Sequence, residues 1–497
     1  MRPDGLRACA LALGCLIVAG GCSGVVRSTD DDPAAAPSSS APGVAESFDS
    51  RFTGTETFCT ADTASHQPEE VEPGVTADSV VLTNVRLRLE DLVEVGFAED
   101  VGDTADQVET FVRIVNEECG GINGRLIELN TVELAVPGFG ATDPQVEAQQ
   151  ACTLIAKDQH ALGAFSFTGV GNPLAGCLTG PNDVIYVTTY DLSAQDFDAA
   201  DGMLYSVNHS PADILGYAAR ELADELEGRP IGVVYTDTEP NPQVVQEGLV
   251  AELERLGLDV ARVDAIGCDA GNCTDGLIES VQGMRADGVE VVFPLLDTIT
   301  MPTYLGEMVT QGFQPGDVEF VNTSFQAQDS ELVTGKIVQF AGEAAAALYN
   351  GATIVSGSRA GEHRLDDFVP DPFVEMCNRV YAEYSDVIDA PYDLLDDADN
   401  LRASNVASSC SGVRLFARAI EAAGENPTRQ DVAAVLAGFG DFDHGESLPA
   451  SFGPGKPTGP DAIVIERFHH PCPAEFGSDA PQCIVPETDF LPLPADD

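Results

Sequence analysis

Residues 231–266 read IGVVYTDTEPNPQVVQEGLVAELERLGLDVARVDAI, and this stretch decides the fold. Its first and last parts, IGVVYTD and LDVARVDAI, are short runs rich in β-branched residues, which is typical of buried strands. Between them, NPQVVQEGLVAELERLG has the length and apolar spacing of an amphipathic helix and ends in glycine. A strand, a helix and a second strand in this order predict a βαβ unit, whose two strands lie parallel in one sheet.

The same alternation continues on both sides of this stretch. Further strands are predicted at SVVLTNVRL (79–87), RLIELNTVEL (125–134), ALGAFSF (161–167), DVIYVTT (183–189), VEVVFPLL (289–296), VEFVNT (318–323) and DAIVIERF (461–468). Helices are predicted at DTADQVETFVRIVNEE (103–118), DPQVEAQQACTLIAK (143–157), PADILGYAARELADELEG (211–228), NCTDGLIESVQGMRADG (272–288), MPTYLGEMVTQGF (301–313), ASNVASSCSGVRLFARAIEAAG (403–424) and TRQDVAAVLAGFG (428–440). One set of units runs from Ser79 to Thr189 and a second from Ile231 to about Asn322. We therefore predict an α/β fold of two doubly wound parallel-sheet lobes joined by a hinge, with a cleft at the carboxyl ends of the strands.

The N-terminus has the layout of an export signal. After two arginines, an apolar run from Ala8 to Ala19 leads to small residues and then Cys22, and the run is shorter than the roughly 20 residues that span a bilayer. The segment resembles a lipoprotein signal, although Ala19 stands where leucine is more usual. The resemblance implies lipidation of Cys22 and an extracytoplasmic protein anchored to the cell membrane. The alternative is an ordinary cleaved signal, which implies the same compartment.

Composition divides the rest of the chain. After the signal (1–21), residues 22–73 are rich in Ala, Ser, Pro and Asp and predict a flexible tether, with Cys59 as the one residue that pins its distal end. The remaining length exceeds what one core usually organises. We assign 74–209 to the first part of lobe 1, 210–324 to lobe 2, 325–455 to a return segment mainly in lobe 1, and 456–497 to a last strand and a cysteine-containing tail.

Charge and cysteines narrow the class of protein. The 82 acidic against 24 basic residues give a net charge of −58, which repels phosphate backbones and excludes nucleic acid as a partner. Of the 13 cysteines, Cys9 and Cys15 lie in the signal and Cys22 directly follows it. The ten that remain form an even number, which indicates disulfides in an exported protein. Sequence alone leaves the pairing open. Proximity along the chain favours Cys59 with Cys119, Cys152 with Cys177, Cys268 with Cys273, Cys377 with Cys410, and Cys472 with Cys483.

The stretch FVRIVNEECGGINGRLIEL (111–129) resembles the type I periplasmic binding proteins of the branched-chain amino-acid class. In that family a helix ends in a Gly-Gly turn before Ile-Asn-Gly-Arg and a strand, and Gly120, Gly121 and Gly124 suit such a turn. The resemblance extends through YSVNHSPADILGYAARELAD to VRLFARAIEAAG, so it covers nearly everything after the tether. It implies the substrate-binding lipoprotein of an ABC importer, which closes about a hinge on a small polar ligand (an amino acid, an amide or a small carboxylate). It also implies a monomer that meets permease subunits, with no cofactor and no enzymatic reaction.

The resemblance also implies where the ligand lies. From lobe 1 it points to the loops after the third and fourth strands, and from lobe 2 to three loops at the strand ends. The lobe-1 candidates are Ser166, Thr168, Gly169, Thr189, Tyr190, Asp191 and Ser193. The lobe-2 candidates are Glu239, Asn241, Asp297, Thr298, Thr323 and Ser324. Amino-acid binders commonly place an acid where this chain has Ser324, so an ammonium partner would have to come from Asp191 or Asp297. Each polar candidate could instead cap a helix.

Motifs for other functions are incomplete. GVGNPLAG at Gly169 lacks dinucleotide spacing, GPGKPTG at Gly453 fails as a phosphate loop, and neither G-x-S-x-G nor H-E-x-x-H occurs. His469, His470, Cys472 and Cys483 could ligate zinc, but a disulfide is favoured in an exported protein. DLLDDADN from Asp393 predicts a solvated acidic loop. Two alternatives to import stay open at this point: a ligand sensor on the same fold, and an exported hydrolase.

Overall fold

The computed structural model describes residues 50–61, 66–94, 96–135, 143–167, 172–189, 192–238, 240–269, 272–476 and 481–494. Cys22, the signal and the first part of the tether lie outside these residues. Within the described ranges, no helix is both long and apolar enough to cross a membrane.

The first sheet is parallel throughout. Within the described residues it contains β1 (Ser79–Leu87), β2 (Leu126–Leu134), β3 (Gly163–Ser166), β4 (Ile185–Thr188) and β5 (Leu204–Ser206). Their order is β2-β1-β3-β4-β5. Strand β5 was not predicted, because its three residues are too few to show a periodic pattern.

The second sheet is larger and mixed. Its strands are β6 (Ile231–Asp237), β7 (Val260–Asp269), β8 (Asn272–Asp275), β9 (Val291–Leu295), β10 (Glu319–Thr323), β11 (Thr353–Ser356), β14 (Ala462–His469), β15 (Cys483–Pro486) and β16 (Leu491–Pro492). The order is β15-β14-β11-β10-β9-β6-β7-β8, and β16 pairs with β14. Strands β8, β14, β15 and β16 pair antiparallel, whereas the central five are parallel. A short separate pair joins β12 (Gly440–Asp441) to β13 (Ser451–Phe452).

Helices follow most strands. They are α1 (Glu90–Glu94), α2 (Thr104–Glu117), α3 (Pro144–Thr153), α4 (Asn172–Thr179), α5 (Ala194–Ala199), α6 (Pro211–Glu221), α7 (Ala223–Leu226), α8 (Asn241–Val244), α9 (Ala251–Arg255), α10 (Leu277–Ala286), α11 (Thr300–Thr310), α12 (Glu331–Lys336), α13 (Glu343–Tyr349), α14 (Pro372–Tyr384), α15 (Asp397–Ala422) and α16 (Arg429–Leu436). π-Helical turns at Leu154–Asp158, Val245–Val250 and Ile337–Ala341 extend α3, α8 and α12. The 3₁₀ turns are Phe325–Ala327, Glu362–Arg364 and Ala474–Phe476.

Each sheet is covered on both faces. On the first sheet, Leu82 packs towards α2, α14 and α15, and its neighbour Val81 packs towards α3 and α4. On the second, Val234 packs towards α10, α11 and α13, whereas Val233 packs towards α6 and α9. Alternate residues of one strand therefore serve two cores, and this confirms the two doubly wound lobes. We call the first sheet with its helices the first lobe, and the second sheet with its helices the second lobe.

Several element bounds differ from the prediction. Strand β11 extends the second sheet, so the return to the first lobe follows Ser356 and not Ser324. Residues 272–275, predicted as the start of a helix, pair with β7 because the Cys268–Cys273 disulfide closes a hairpin there. Helix α15 begins at Asp397, where the Asp396 carboxylate accepts two backbone N–H groups; the predicted acidic loop therefore serves partly as a helix cap.

The distal part of the predicted tether is packed against the first lobe. Phe52 and Phe58 are buried in the core beside Phe111, and the Arg414 Nε–H donates to the Phe52 carbonyl at 2.8 Å. The prediction of a tether rested on the average composition of residues 22–73, in which these two aromatic residues carry little weight. The expectation of flexibility up to residue 73 is therefore corrected for the described part, residues 50–61 and 66–73.

The predicted cysteine pairs all form. The described residues contain the disulfides Cys59–Cys119, Cys152–Cys177, Cys268–Cys273, Cys377–Cys410 and Cys472–Cys483. Because Cys472 and Cys483 form a disulfide, they do not ligate zinc. His470 instead contacts Glu343 through Nε2 at 2.8 Å. Among the described residues, no cluster of three or more His, Cys, Asp or Glu side chains is arranged to hold a metal ion.

Candidate functional site

The described chain passes between the two lobes in residues 207–210, 357–371 and 442–461. We call these ranges the first, second and third crossings. The third crossing runs beside the end of β5, where the first crossing begins, since the Ser206 N–H donates to the Pro457 carbonyl at 2.9 Å and the Gly459 N–H donates to the Ser206 carbonyl at 2.8 Å. The three crossings form the hinge, and backbone hydrogen bonds hold the first and third together where β5 ends.

Two buried histidines hold the first crossing against the third crossing and the start of β14. His209 Nε2 lies 2.9 Å from the Ala462 carbonyl oxygen, and His444 Nε2 lies 2.9 Å from the Val207 carbonyl oxygen. Burial lowers the pKa of both imidazoles to about 4, so both are neutral at pH 7. His444 Nδ1 accepts the Glu446 N–H, which leaves Nε2 as the donor to the carbonyl.

Lys456 serves the hinge and not a phosphate. Its Nζ donates to the carbonyls of Ser451 at 2.6 Å, Thr458 at 2.7 Å and Gly459 at 2.7 Å, and lies 3.2 Å from an Asp461 oxygen. The three ammonium protons are therefore used within the third crossing.

A close approach between crossings requires glycine at position 357. A Cβ there would lie 2.9 Å from His209 Cδ2, which is closer than side chains tolerate. Gly357 thus lets the second crossing pass against the first, directly beside the space described next.

A cavity of about 300 Å³ lies between the lobes, against the hinge. We call it the smaller cavity, and its size suits a small ligand. Its polar and charged lining comes from both lobes and the crossings. These residues are Thr189, Asn208, His209, Ser324, Asp329, Ser358 and Glu446. Phe325, Ile214 and Leu448 add apolar surface.

A second cavity of about 550 Å³, the larger cavity, adjoins the smaller one. The two share Asp329, Ser358 and Glu446 as lining residues. Further lining comes from the second crossing, from α12 and from the start of α15, including Glu331, Arg364 and Asp397. The two spaces together follow the cleft between the lobes.

The structure brings two of the predicted site residues together across the cleft. Thr189, after β4, and Ser324, after β10, both line the smaller cavity. Ser166 is fully buried and hydrogen-bonds with Tyr186, and Thr323 is fully buried and accepts the Phe325 N–H. These last two therefore lie beneath the cavity surface.

Three other predicted residues make local contacts. Ser193 caps α5, Asn241 donates to the Thr236 hydroxyl at 2.8 Å, and Asp297 accepts the Thr300 N–H at 2.8 Å at the start of α11. Thr298 is half-buried beside Asp297. Thr168, Gly169, Tyr190, Asp191 and Glu239 lie outside the described residues.

Other lining residues were not predicted from the sequence. Asn208 and His209 belong to YSVNHSPAD, a stretch that marked the family resemblance but carried no proposed role. Asp329 follows β10 by six residues, and Glu446 is 117 positions further on. No local spacing links these two carboxylates, because only the crossing of the chain between the lobes brings them to one cavity.

The lobes also touch at the cleft rim. Glu99, from the first lobe, accepts the Ser330 hydroxyl at 3.0 Å and the Leu332 N–H at 3.1 Å, at the start of α12 in the second lobe. Nearby, the rings of Phe97 and Phe340 stack with centroids 6.0 Å apart. Burial raises the pKa of Glu99. One short loop thus joins the two lobes by polar and apolar contacts.

Arg364, on the second crossing, bridges both lobes. Its guanidinium contacts Glu331 of α12 through two N–H groups, and its Nε donates to Asp397 of α15 at 3.0 Å. The side chain is only 4% exposed, so these charge-assisted contacts are shielded from water.

Two lobes, three crossings and a cavity between the lobes are the architecture of a binding protein with a cleft. The sequence profile described as periplasmic binding protein matches residues 96–466. The chain therefore belongs to the periplasmic binding protein family, and the resemblance to the type I class is confirmed. No curated protein matches the chain.

Solved structures share this fold. A solute-binding protein of an ABC transporter from Rhodopseudomonas palustris, in complex with 3,4-dihydroxybenzoic acid, is 10% identical with a TM-score of 0.55, over 84% of this chain and 99% of that chain. A fatty acid ABC transporter substrate-binding protein from Thermomonospora curvata is 16% identical with a TM-score of 0.55, over 86% and 96%. A leucine-binding protein from Thermotoga maritima is 14% identical with a TM-score of 0.54, over 82% and 98%.

Proposed function

We propose that this chain is the extracytoplasmic solute-binding protein of an ABC importer and captures a small polar ligand by closure of its two lobes. The observation that carries the proposal is the smaller cavity, whose lining joins Thr189 of the first lobe, Ser324 of the second and Glu446 of the third crossing. A ligand in this space contacts all three parts at once. Such a ligand favours the closed arrangement by its difference in affinity for the two states.

The contacts at the cleft rim support the proposed closure. The contacts of Glu99 with α12 and the bridge made by Arg364 both depend on the lobes being close together. They stabilise the closed arrangement without occupying the cavity. A permease could recognise the surface that the two lobes form in this state.

The ligand class is proposed from the fold and the lining together. The similar proteins named above include one bound to a small aromatic acid and one named for leucine. We keep the predicted candidates Thr189 and Ser324 as ligand contacts. Thr168, Gly169, Tyr190, Asp191 and Glu239, on the loops beside them in sequence, remain part of the proposal.

Location and partners complete the proposal. The five disulfides among the described residues fit an oxidising compartment outside the cytoplasm. Lipidation of Cys22 would hold the protein at the membrane beside its permease subunits. We propose a monomer that binds no nucleic acid and catalyses no reaction on its ligand.

A thermal-shift panel tests the function. The exported chain, from Cys22 on and expressed with that residue as alanine, is screened against amino acids, amides and small carboxylates. A ligand at 100 times its Kd should add about 2.7 kcal/mol to the free energy of unfolding. Small-angle scattering should then show a smaller radius of gyration with the ligand bound.

The matched variants are Ser324→Leu, which fills the smaller cavity, and Thr310→Leu, an exposed position on α11 of the same lobe. The first should abolish the thermal shift and the second should preserve it. A shift that survives Ser324→Leu would place the ligand elsewhere and contradict the proposed site.

A further inference from the structure

The larger cavity provides more room than a small polar ligand needs. Its volume is about 550 Å³, against about 300 Å³ for the smaller cavity, and the two meet at Asp329, Ser358 and Glu446. Ligand sites in proteins commonly measure about 300–1,000 Å³, so the smaller cavity alone suits an amino acid or an amide. The walls of the larger cavity show which chemistry the additional room suits.

The ion pairs of the larger cavity use up its basic groups and several of its acids. Arg364 is held between Glu331 and Asp397, as described above, and Arg359 contacts Glu362 at 2.7 Å. These side chains belong to the second crossing, to α12 and to the start of α15. Their charges are compensated within the protein, so they do not require a ligand of opposite charge.

The other polar groups of this wall are engaged or covered as well. Glu99 accepts two groups from the start of α12, and Asp371 accepts the Phe373 N–H at 2.7 Å at the start of α14. Arg359 Nε and His363 Nδ1 have no partner among the described residues, but both atoms are buried beneath the surface and do not face open space. Away from the junction of the two cavities, the charged side chains of the wall are thus bound by the protein itself.

Apolar side chains from both lobes complete the lining of the larger cavity. They come from the end of the second crossing, from α14, from the segment that leads into α15 and from the C-terminal tail. We call the following six residues the apolar wall: Phe368, Pro370, Val374, Leu394, Leu401 and Phe490. The hydrophobic core of the first lobe lies behind Val374 and Leu394. Such a surface stabilises a hydrocarbon group by removing it from water.

The C-terminal tail holds the ring of Phe490 against the cavity. Thr488 accepts the Ile465 N–H at 3.0 Å, and β16, which follows Phe490 directly, pairs with β14. The ring also lies 5.4 Å from the guanidinium carbon of Arg359. Because this tail belongs to the second lobe and Leu401 to the first, a group between Phe490 and Leu401 is enclosed by both lobes.

We infer that the ligand is amphipathic: its polar group lies in the smaller cavity near Thr189 and Ser324, and an alkyl chain extends into the larger cavity against the apolar wall. This inference rests on the proposed function and narrows its ligand class. At the junction, the Asp329 carboxylate accepts the Ser356 hydroxyl at 2.7 Å, and Glu446 is exposed and keeps its contact with water. The alkyl chain can therefore pass these two acids without burying an unpartnered charge.

Isothermal titration calorimetry of the exported chain, with Cys22 as alanine, tests the inference with three series of probes. They are carboxylates from propanoate to octanoate, amides from propanamide to octanamide, and amino acids from alanine to 2-aminooctanoate. In at least one series the Kd should fall about fourfold for each methylene that becomes buried. A Kd that is unchanged or rises with chain length in every series would overturn the inference.

Two variants of the apolar wall show where the chain lies. Leu401→Ser and Phe490→Ser should each weaken the longest probe at least fivefold and leave the shortest probe of that series unchanged. The matched control is Leu395→Ser, at a side chain that is 68% exposed and lines neither cavity, and it should change neither Kd. Thermal melting checks that each variant folds, and Phe490→Ser in the tail suffices if Leu401→Ser does not. A dependence on chain length that survives the wall variants would place the chain elsewhere and contradict the inference.

The probes also separate this inference from the function beneath it. If short members of a series bind and longer ones bind less tightly, the solute-binding function stands and the alkyl chain is wrong. If no member of any series binds and the radius of gyration never changes, both are overturned.

Discussion

The hinge and the cavity wall differ in how their polar side chains are partnered. At the hinge, Lys456 meets three carbonyls, and His209 and His444 each meet one. At the cavity wall, the exposed Glu446 carboxylate has no hydrogen-bond partner among the described residues. Groups that are satisfied by the protein itself hold a framework in place. Polar groups that line a cavity without a protein partner are available to a ligand.

The largest effect is expected at the hinge, from Lys456→Met. This change removes three charge-assisted hydrogen bonds to partly buried carbonyls and should lower the free energy of unfolding by about 3 kcal/mol. Urea unfolding at pH 7.5 measures it. Lys157→Met, at an exposed lysine, is the control and should change stability by less than about 0.5 kcal/mol. Equal effects of the two changes would show that Lys456 does not brace the third crossing.

A smaller loss is expected from Gly357→Ala. The new methyl group would press on the His209 ring and should cost about 2 kcal/mol through forced movement of the two crossings. The same urea titration detects this loss. Gly453→Ala, where the added carbon meets nothing within 4 Å, should be close to neutral. A neutral Gly357→Ala would mean that the crossings can separate without strain.

At the cavity wall we expect a gain in stability instead of a loss. The free energy of unfolding should rise in Glu446→Gln at pH 8. An acid whose pKa is raised on folding contributes stability below its ordinary pKa of 4.5, and that contribution is lost as the pH rises through about 7. The variant lacks this loss. The free energy of unfolding of the variant should therefore exceed that of the parent by about 1 kcal/mol at pH 8, a figure reduced for the exposure of the side chain to solvent, and by much less at pH 5.

Thermal melting in both buffers measures the difference. The control is Glu290→Gln, on the surface of the second lobe and away from both cavities, and its effect should be the same in the two buffers. A Glu446→Gln variant that is less stable than the parent at pH 8 would show that the carboxylate has a stabilising partner.

The smallest effect is expected at the cleft rim, from Glu99→Ala. The variant loses two hydrogen bonds between the lobes, and closure should weaken by about 0.5 kcal/mol, which is roughly a twofold rise in the Kd of a bound probe. Calorimetry with the tightest probe measures it, and Glu94→Ala on the preceding helix is the control. An unchanged Kd would show that the Glu99 contacts at the cleft rim do not stabilise the closed arrangement.

Much of the fold could be predicted from the sequence where elements are long and regular. Strands β1 and β6 begin and end at the predicted residues, because each has seven or more residues bounded by clear turns. Strand β5 was missed because three residues carry no measurable period. Strand β11 was also missed, although β3 and β4, which are of the same length, were predicted. The disulfides could be predicted because four of the pairs join cysteines that are close in the sequence. The fifth pair, Cys59–Cys119, consists of the two cysteines that remain.

The candidate site could be predicted only in part. Thr189 and Ser324 follow strands, and position at a strand end is visible in the sequence. The sequence does not show whether such a residue faces a ligand or caps a helix. In the structure, Asp297 and Ser193 cap helices. Glu446 lies on a crossing segment with no regular structure, so its approach to Asp329 depends on the tertiary fold alone.

Hydrogen exchange of the exported chain, with and without the tightest-binding probe, tests the central claim most directly. If the ligand lies between the lobes and against the hinge, residues 185–189, 324–330 and 444–448 should gain protection together. Protection in only one lobe, or at a surface remote from all three segments, would contradict the account.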